Sequence, residues 1–115
     1  MIRPRFNESP QHCFLVYDIA DYLKKFTKKV SLYETKKPDI IFDIDGEKYA
    51  IEVETGKALK HNKKQLVEKI KVLNKTYGKN WFFVVTDRKV ASKYSKLAPT
   101  HDKRYIRKTI NNLVR

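Results

Sequence analysis

Cysteine occurs once in the 115 residues, at Cys13. One thiol cannot close a disulfide within the chain, and it leaves no cysteine-based zinc site. It suits a reducing compartment, so the expected location is cytoplasmic. Long apolar runs are missing too. No stretch approaches the roughly 18 residues that a membrane helix needs, and no membrane partner is expected. The opening residues, MIRPRFNESPQ, lack the apolar centre of a secretion signal. Acidic residues are the other scarcity: 13 Asp and Glu face 26 Lys and Arg, a net charge of +13. That excess favours a polyanionic partner, most often nucleic acid. Its bland counterpart is a lysine-rich surface reflecting a thermophilic or AT-rich genome.

What remains is enough for one folded domain spanning residues 1–115 with a modest core. Hydrophobic residues make up 41% of the chain, and no repeat, low-complexity segment or internal linker interrupts it. Ser9-Pro10 is a helix-start signal. Leu15, Ile19, Tyr22, Leu23 and Phe26 then recur at helical spacing, which predicts a helix to about Lys28. The lysines at 24, 25, 28 and 29 suit its carboxyl end. A short strand is expected at Val30–Tyr33, and a second helix from His61 to Tyr77 with Gly78 as its stop. The run Trp81–Val85 reads as a strand buried on both faces. Asp87 can cap a third helix to about Leu97, and Asp102 a last one. The expected order is α-β-β-β-α-β-α-α, an α/β chain.

Between the first two helices lies KPDIIFDIDGEKYAIEVETGK, residues 37–57. Asp-Gly between two alternating apolar runs is a strong hairpin signal. With Asp45 and Gly46 as the turn, Ile44 pairs with Glu47, Asp43 with Lys48, Phe42 with Tyr49, Ile41 with Ala50, and Ile40 with Ile51. Asp39 then faces Glu52, and opposed residues share a sheet face at roughly 4.5–5.5 Å between Cβ atoms. Glu54, two residues on, projects from that face as well. Three carboxylates therefore converge, and they repel one another unless a cation or a proton intervenes.

Converging oxygens are what Mg²⁺ or Mn²⁺ requires. Such an ion neutralises phosphate and lowers the pKa of the attacking water. A nearby lysine commonly orients that water or stabilises the transition-state charge. Asp39, Glu52 and Glu54 can supply ligands, and the Val53 carbonyl is well placed to join them. The candidate lysines are Lys57, just past the strand, and Lys69, on the second helix.

Pro38-Asp39, followed by two acidic residues with one between them, inside the order α-β-β-β-α-β, resembles the PD-(D/E)xK nuclease superfamily. Archaeal Holliday junction resolvases and RecB-like nuclease domains belong to it. The resemblance covers about residues 9–85 and implies a restriction-endonuclease-like core, a mixed central sheet flanked by helices, with C-terminal helices added here. It places the family's metal-binding Asp at Asp39 and its first acidic residue at Glu52. Gln65 and Lys69 resemble the Q-x-x-x-Y/K motif of RecB-like members. One departure stands out: the usual Lys position holds Glu54, so the motif reads E-x-E. Some members of the superfamily carry Glu there and remain active. In others the lysine sits on a neighbouring element, and in a degenerate relative the fold serves binding alone.

The remaining candidates read more simply. Glu8 is a weak further acidic candidate, His12 a helix-start residue, His61 a surface residue, and Cys13 part of the core. Asp43, opposite Lys48, reads as structural. Three basic sets are expected to line a phosphate-facing surface. The first is Lys57, Lys60, Lys63 and Lys64; the second is Arg88, Lys89 and Lys93. The third is Lys103, Arg104, Arg107 and Lys108. Phosphate contacts set affinity without reading sequence, and no recognition helix stands out. The leading expectation is a Mg²⁺- or Mn²⁺-dependent DNA endonuclease, structure-selective or weakly sequence-specific, acting as a homodimer. Its alternative is a degenerate nucleic-acid-binding module or an interaction subunit.

Overall fold

The structure is a computed structural model that describes residues 10–32 and 38–113. Ser9, Glu8 and Tyr33 lie outside the described residues. Helix α1 spans Pro10–Leu23. Its stripe of Leu15, Val16, Ile19 and Leu23 is buried, as the helical spacing of those residues demands. The helix stops at Leu23, earlier than the sequence pattern predicts. Shorter-range bonds from Lys25 N–H to Tyr22 O and from Phe26 N–H to Leu23 O then tighten the chain into a turn. Phe26, expected in the core, is instead 43% exposed.

Strands β1 (Val30–Leu32), β2 (Ile40–Ile44) and β3 (Glu47–Glu54) follow. The β2–β3 register is the expected one, from Ile44 opposite Glu47 to Ile40 opposite Ile51. The turn residues Asp45 and Gly46 have φ of 52° and 85°. Positive φ at both matches the hairpin turn whose twist suits the flanking strands.

The stretch after β3 departs from the expected single helix. Gly56, at φ 97°, turns the chain into a short α2 (Lys57–His61). Asn62, at φ −145° and ψ 46°, leaves helical geometry before α3 (Lys63–Tyr77) begins. Strand β4 (Trp81–Val85) is buried throughout, and α4 (Arg88–Ser95) is capped by the Asp87 side chain on Lys89 N–H. A fifth strand, β5 (Thr100–Asp102), was not legible as one. It pairs in parallel with Phe83–Val85, and its three residues carry no alternating apolar pattern. Asp102 caps a 3-10 turn, Lys103–Tyr105, which leads into α5 (Ile106–Leu113).

The five strands form one mixed sheet in the order β1-β2-β3-β4-β5. The first two pairings are antiparallel and the last two parallel. Side-chain alternation then divides the core into two layers. On one face Ile40, Phe42, Ile51, Val53, Phe82 and Val84 pack with α1 and with Ile106 and Ile110 of α5. On the other, Ala50, Trp81, Phe83 and Val85 pack with Leu66, Ile70 and Leu73 of α3 and Tyr94 of α4. Strand β4 is apolar on both faces because both layers cover it. Among the described residues, no helix is long and apolar enough to cross a membrane.

Candidate active site

Glu52 and Glu54 have the same parity as Ala50, so they leave β3 on the face that α3 covers. Asp39, at the entry to β2, joins them. All three are buried, at 4%, 3% and 7% exposure for Asp39, Glu52 and Glu54. Burying three acids in so basic a chain is costly unless each finds partners.

Those partners interlock. The Asp39 backbone N–H donates to Glu52 Oε1 at 2.8 Å. In return, Asp39 Oδ2 accepts from the Val53 backbone N–H at 2.8 Å. Each acid thus ties down the other's strand, which fixes the open end of the hairpin. In a strand, the N–H and C=O of one residue point to the same edge. The Val53 carbonyl therefore faces the Asp39 side as well. The third acid turns the other way: Tyr94 donates its hydroxyl to Glu54 Oε1 at 3.1 Å.

Lys69 is a cation within reach of the acids. Its Nζ lies 2.9 Å from Glu52 Oε2, and its side chain stays 41% exposed. Lys69 sits on α3 with Gln65 one turn before it, and both line the carboxylate cleft of about 920 Å³. Lys57 lines a different cavity of about 590 Å³, with Lys60, His61 and Lys93. Of the two lysines open from sequence, the geometry brings Lys69 to the acids.

Burial, reinforced by the Asp39 charge and opposed by Lys69, pushes the Glu52 carboxyl up to about 7. Burial also raises Glu54, against the opposing pull of Lys69 and Tyr94. For Lys69, burial alone would lower the ammonium, but Glu52 and Glu54 more than reverse it and hold it high. Burial, then the Glu54 carboxylate, raises the Tyr94 phenol. Burial keeps both glutamates raised although Lys69 and His12 face them, so a cation bound there would be stabilised by their charge.

The donor set tests what that cation could be. Carboxylate and carbonyl oxygens with no thiolate suit a hard ion such as Mg²⁺ or Mn²⁺. Against this, among the described residues no three His, Cys, Asp or Glu side chains already stand as a ready ligand group.

His12 is the residue that sequence placed elsewhere. Its Nε2 lies 3.2 Å from Asp39 Oδ2. The signal was present, since His12 precedes Leu15, Val16 and Ile19 at helical spacing and so shares their inward stripe. Tyr94 carried no comparable signal. Its role arises only when α4 folds over the end of β3.

The basic sets do not form one surface. Lys57, Lys60 and Lys93 gather at the second cavity. Arg88, Lys89, Lys63 and Lys64 are exposed on the helices of the carboxylate layer. The set at 103–108 belongs to the other layer, because Ile106 and Ile110 of the same segment pack beside α1. Asp43 pairs with Lys48 in the ladder, as expected. Comparison with protein-family models, curated proteins and solved structures finds no match.

Proposed function

We propose that the chain is a Mg²⁺- or Mn²⁺-dependent DNA endonuclease of the restriction-endonuclease-like kind. The observation that carries this reading is the Lys69 ammonium, 2.9 Å from Glu52 in a cleft shared with Asp39 and Glu54. It supplies, from a helix, the lysine that the E-x-E motif lacks on the strand. The hairpin register supports the same reading, as does the succession of three strands, a helical segment broken at Asn62, and a fourth strand.

Asp39, Glu52, Glu54 and the Val53 carbonyl would hold the metal, whose chemistry is to neutralise phosphate charge and acidify water. The chain's own residues do the rest. Asp39 and Glu52 fix each other and keep the carboxylates at one end of the hairpin. Lys69, half exposed in the cleft, presents a donor and a positive charge to the attacking water or the phosphate. Gln65 lies on the same helix face, where a substrate phosphate can reach it. Lys57, Lys60 and Lys93, in the second cavity, hold the backbone without reading bases. Cleavage of two strands would use two copies of the chain, and the buried single cysteine suits a cytoplasmic setting.

One observation favours a second reading. The Lys69 ammonium on Glu52 is itself a substitute cation, as expected of a nuclease core that has lost its metal and kept nucleic-acid binding. Cleavage of linear, single-stranded and four-way-junction DNA with and without Mn²⁺ separates the two. The first reading predicts Mn²⁺-dependent cutting that Glu52→Ala abolishes. Salt-sensitive binding with no cleavage under any condition would establish the second.

A further inference from the structure

Across the sheet from the carboxylates, α1 and α5 meet in a surface that the proposed reaction leaves unused. Residues 22–29 and 103–112 carry four Lys or Arg each and no acid. Side-chain interactions join them. Tyr22 donates its hydroxyl to Asn111 Oδ1 at 2.6 Å. Arg107 lies over the Tyr22 ring at 5.0 Å, and Lys25 lies over the same ring at 5.4 Å. Phe26 meets Tyr22 edge-on at 5.3 Å, yet stays 43% exposed. Next along the chain, Arg104 is ion-paired to Asp102 at 3.1 Å while it covers the Tyr105 ring at 5.5 Å, so it is not among the free cations of the face; Tyr105 is 58% exposed.

A solvated lysine face needs none of this order. Exposed rings cost hydration and leave the side chains nothing to pack on. Here the half-buried Tyr22 ring holds Lys25 and Arg107 by cation–π attraction, with the exposed Phe26 ring against its edge. Cations fixed beside an exposed ring, here Phe26, are the two components of a single-strand platform. The cations neutralise phosphates, and the rings stack on bases. A duplex would use only the first component, because its bases are already stacked.

We propose that this α1–α5 face binds single-stranded nucleic acid, as a second site separate from the carboxylate cleft. Lys25, Arg107 and Lys108 contact phosphates, and Phe26 stacks a base. The proposal shares the nucleic-acid partner with the function above but does not require cleavage. Binding to the face is read with chelator present, where no metal-dependent reaction proceeds.

The test is fluorescence anisotropy of the full chain with an oligothymidylate of about 20 nucleotides, and with a duplex of equal length, in EDTA. Three variants are compared with wild type: Phe26→Ala, Lys25→Glu and Lys108→Glu. Phe26 and both lysines are exposed, and thermal melts verify that each variant folds. Phe26→Ala is expected to weaken the single strand about tenfold and the duplex far less. Each lysine reversal leaves one phosphate without its cation, and is expected to lower the slope of log affinity against log salt by about 0.7. Lys75→Glu, the same reversal at an exposed position of α3 on the other side of the sheet, is expected to bind the single strand like wild type, which separates this face from a general loss of positive charge. Equal single-strand affinity in wild type and in the three face variants overturns the proposal. So does a loss in Lys75→Glu as large as in Lys25→Glu and Lys108→Glu.

Discussion

Replacing Glu52 by Gln should change how stability depends on pH, and the size of the change follows from its burial. In the folded chain this carboxyl is raised from 4.5 to about 7. Between those values the folded state holds a proton that the unfolded state has released. Stability therefore falls as pH rises through that window, since the slope follows the protons bound by the unfolded minus the folded state. At about 1.4 kcal/mol per pH unit, the whole window is worth about 3 kcal/mol. The stabilising contribution is complete below pH 4.5 and gone above about 7. Glu54, raised in the same direction, adds to the slope. Gln cannot ionise, so Glu52→Gln removes the Glu52 share and leaves the rest. Urea unfolding without divalent ions, at intervals from about pH 5 to about pH 8, measures both proteins. Wild type is expected to lose ground to the variant by a few kcal/mol across the series. Parallel curves, or a wild type that gains on the variant as pH rises, would refute the account of this carboxyl.

Tyr94→Phe removes the hydroxyl that satisfies Glu54 Oε1 in the interior; it should cost about 1–3 kcal/mol in urea unfolding at neutral pH. Gly56→Ala forces a side chain into φ 97°, with its Cβ 3.0 Å from Val90 Cγ1, and should cost about 1–3 kcal/mol in the same measurement. Asp87→Ala removes the cap on Lys89 N–H and should lower stability by about 1 kcal/mol, with no effect on binding of an oligonucleotide at the cleft.

The hairpin was legible because two independent signals agreed. Asp45-Gly46 set the turn, and period-two alternation of Ile40, Phe42, Tyr49, Ile51 and Val53 set the faces, so the ladder pairs from Ile44–Glu47 to Ile40–Ile51 followed, while Asp39 meets Glu52 just beyond the strand through its N–H. The grouping of Asp39 with Glu52 came from the same register. Which lysine joins them was not legible, because it depends on how α3 lies across the sheet. That placement is decided by Leu66, Ile70 and Leu73 packing on Ala50, Trp81 and Phe83. Strand β5 escaped because Thr-His-Asp has no apolar rhythm; it exists by pairing with a β4 that is already formed. The end of α1 was misplaced for a related reason. Phe26 continues the helical spacing, but the chain tightens into a turn after Leu23 and leaves its ring 43% exposed. Among the basic residues, charge gave the partner class, while only the packing of Ile106 and Ile110 showed that one set lies on the opposite layer.

The central claim is that Lys69, together with Asp39 and Glu52, makes the carboxylate cleft a nuclease site. It is tested most directly by the rate of Mn²⁺-dependent cleavage of end-labelled DNA by wild type, Asp39→Ala, Lys69→Ala and Lys57→Ala, each shown to be folded. The account predicts losses of about a hundredfold or more for Asp39→Ala and Lys69→Ala, and a rate within a few-fold of wild type for Lys57→Ala. An unchanged rate after Asp39→Ala, or a loss with Lys57→Ala that Lys69→Ala does not share, would contradict it.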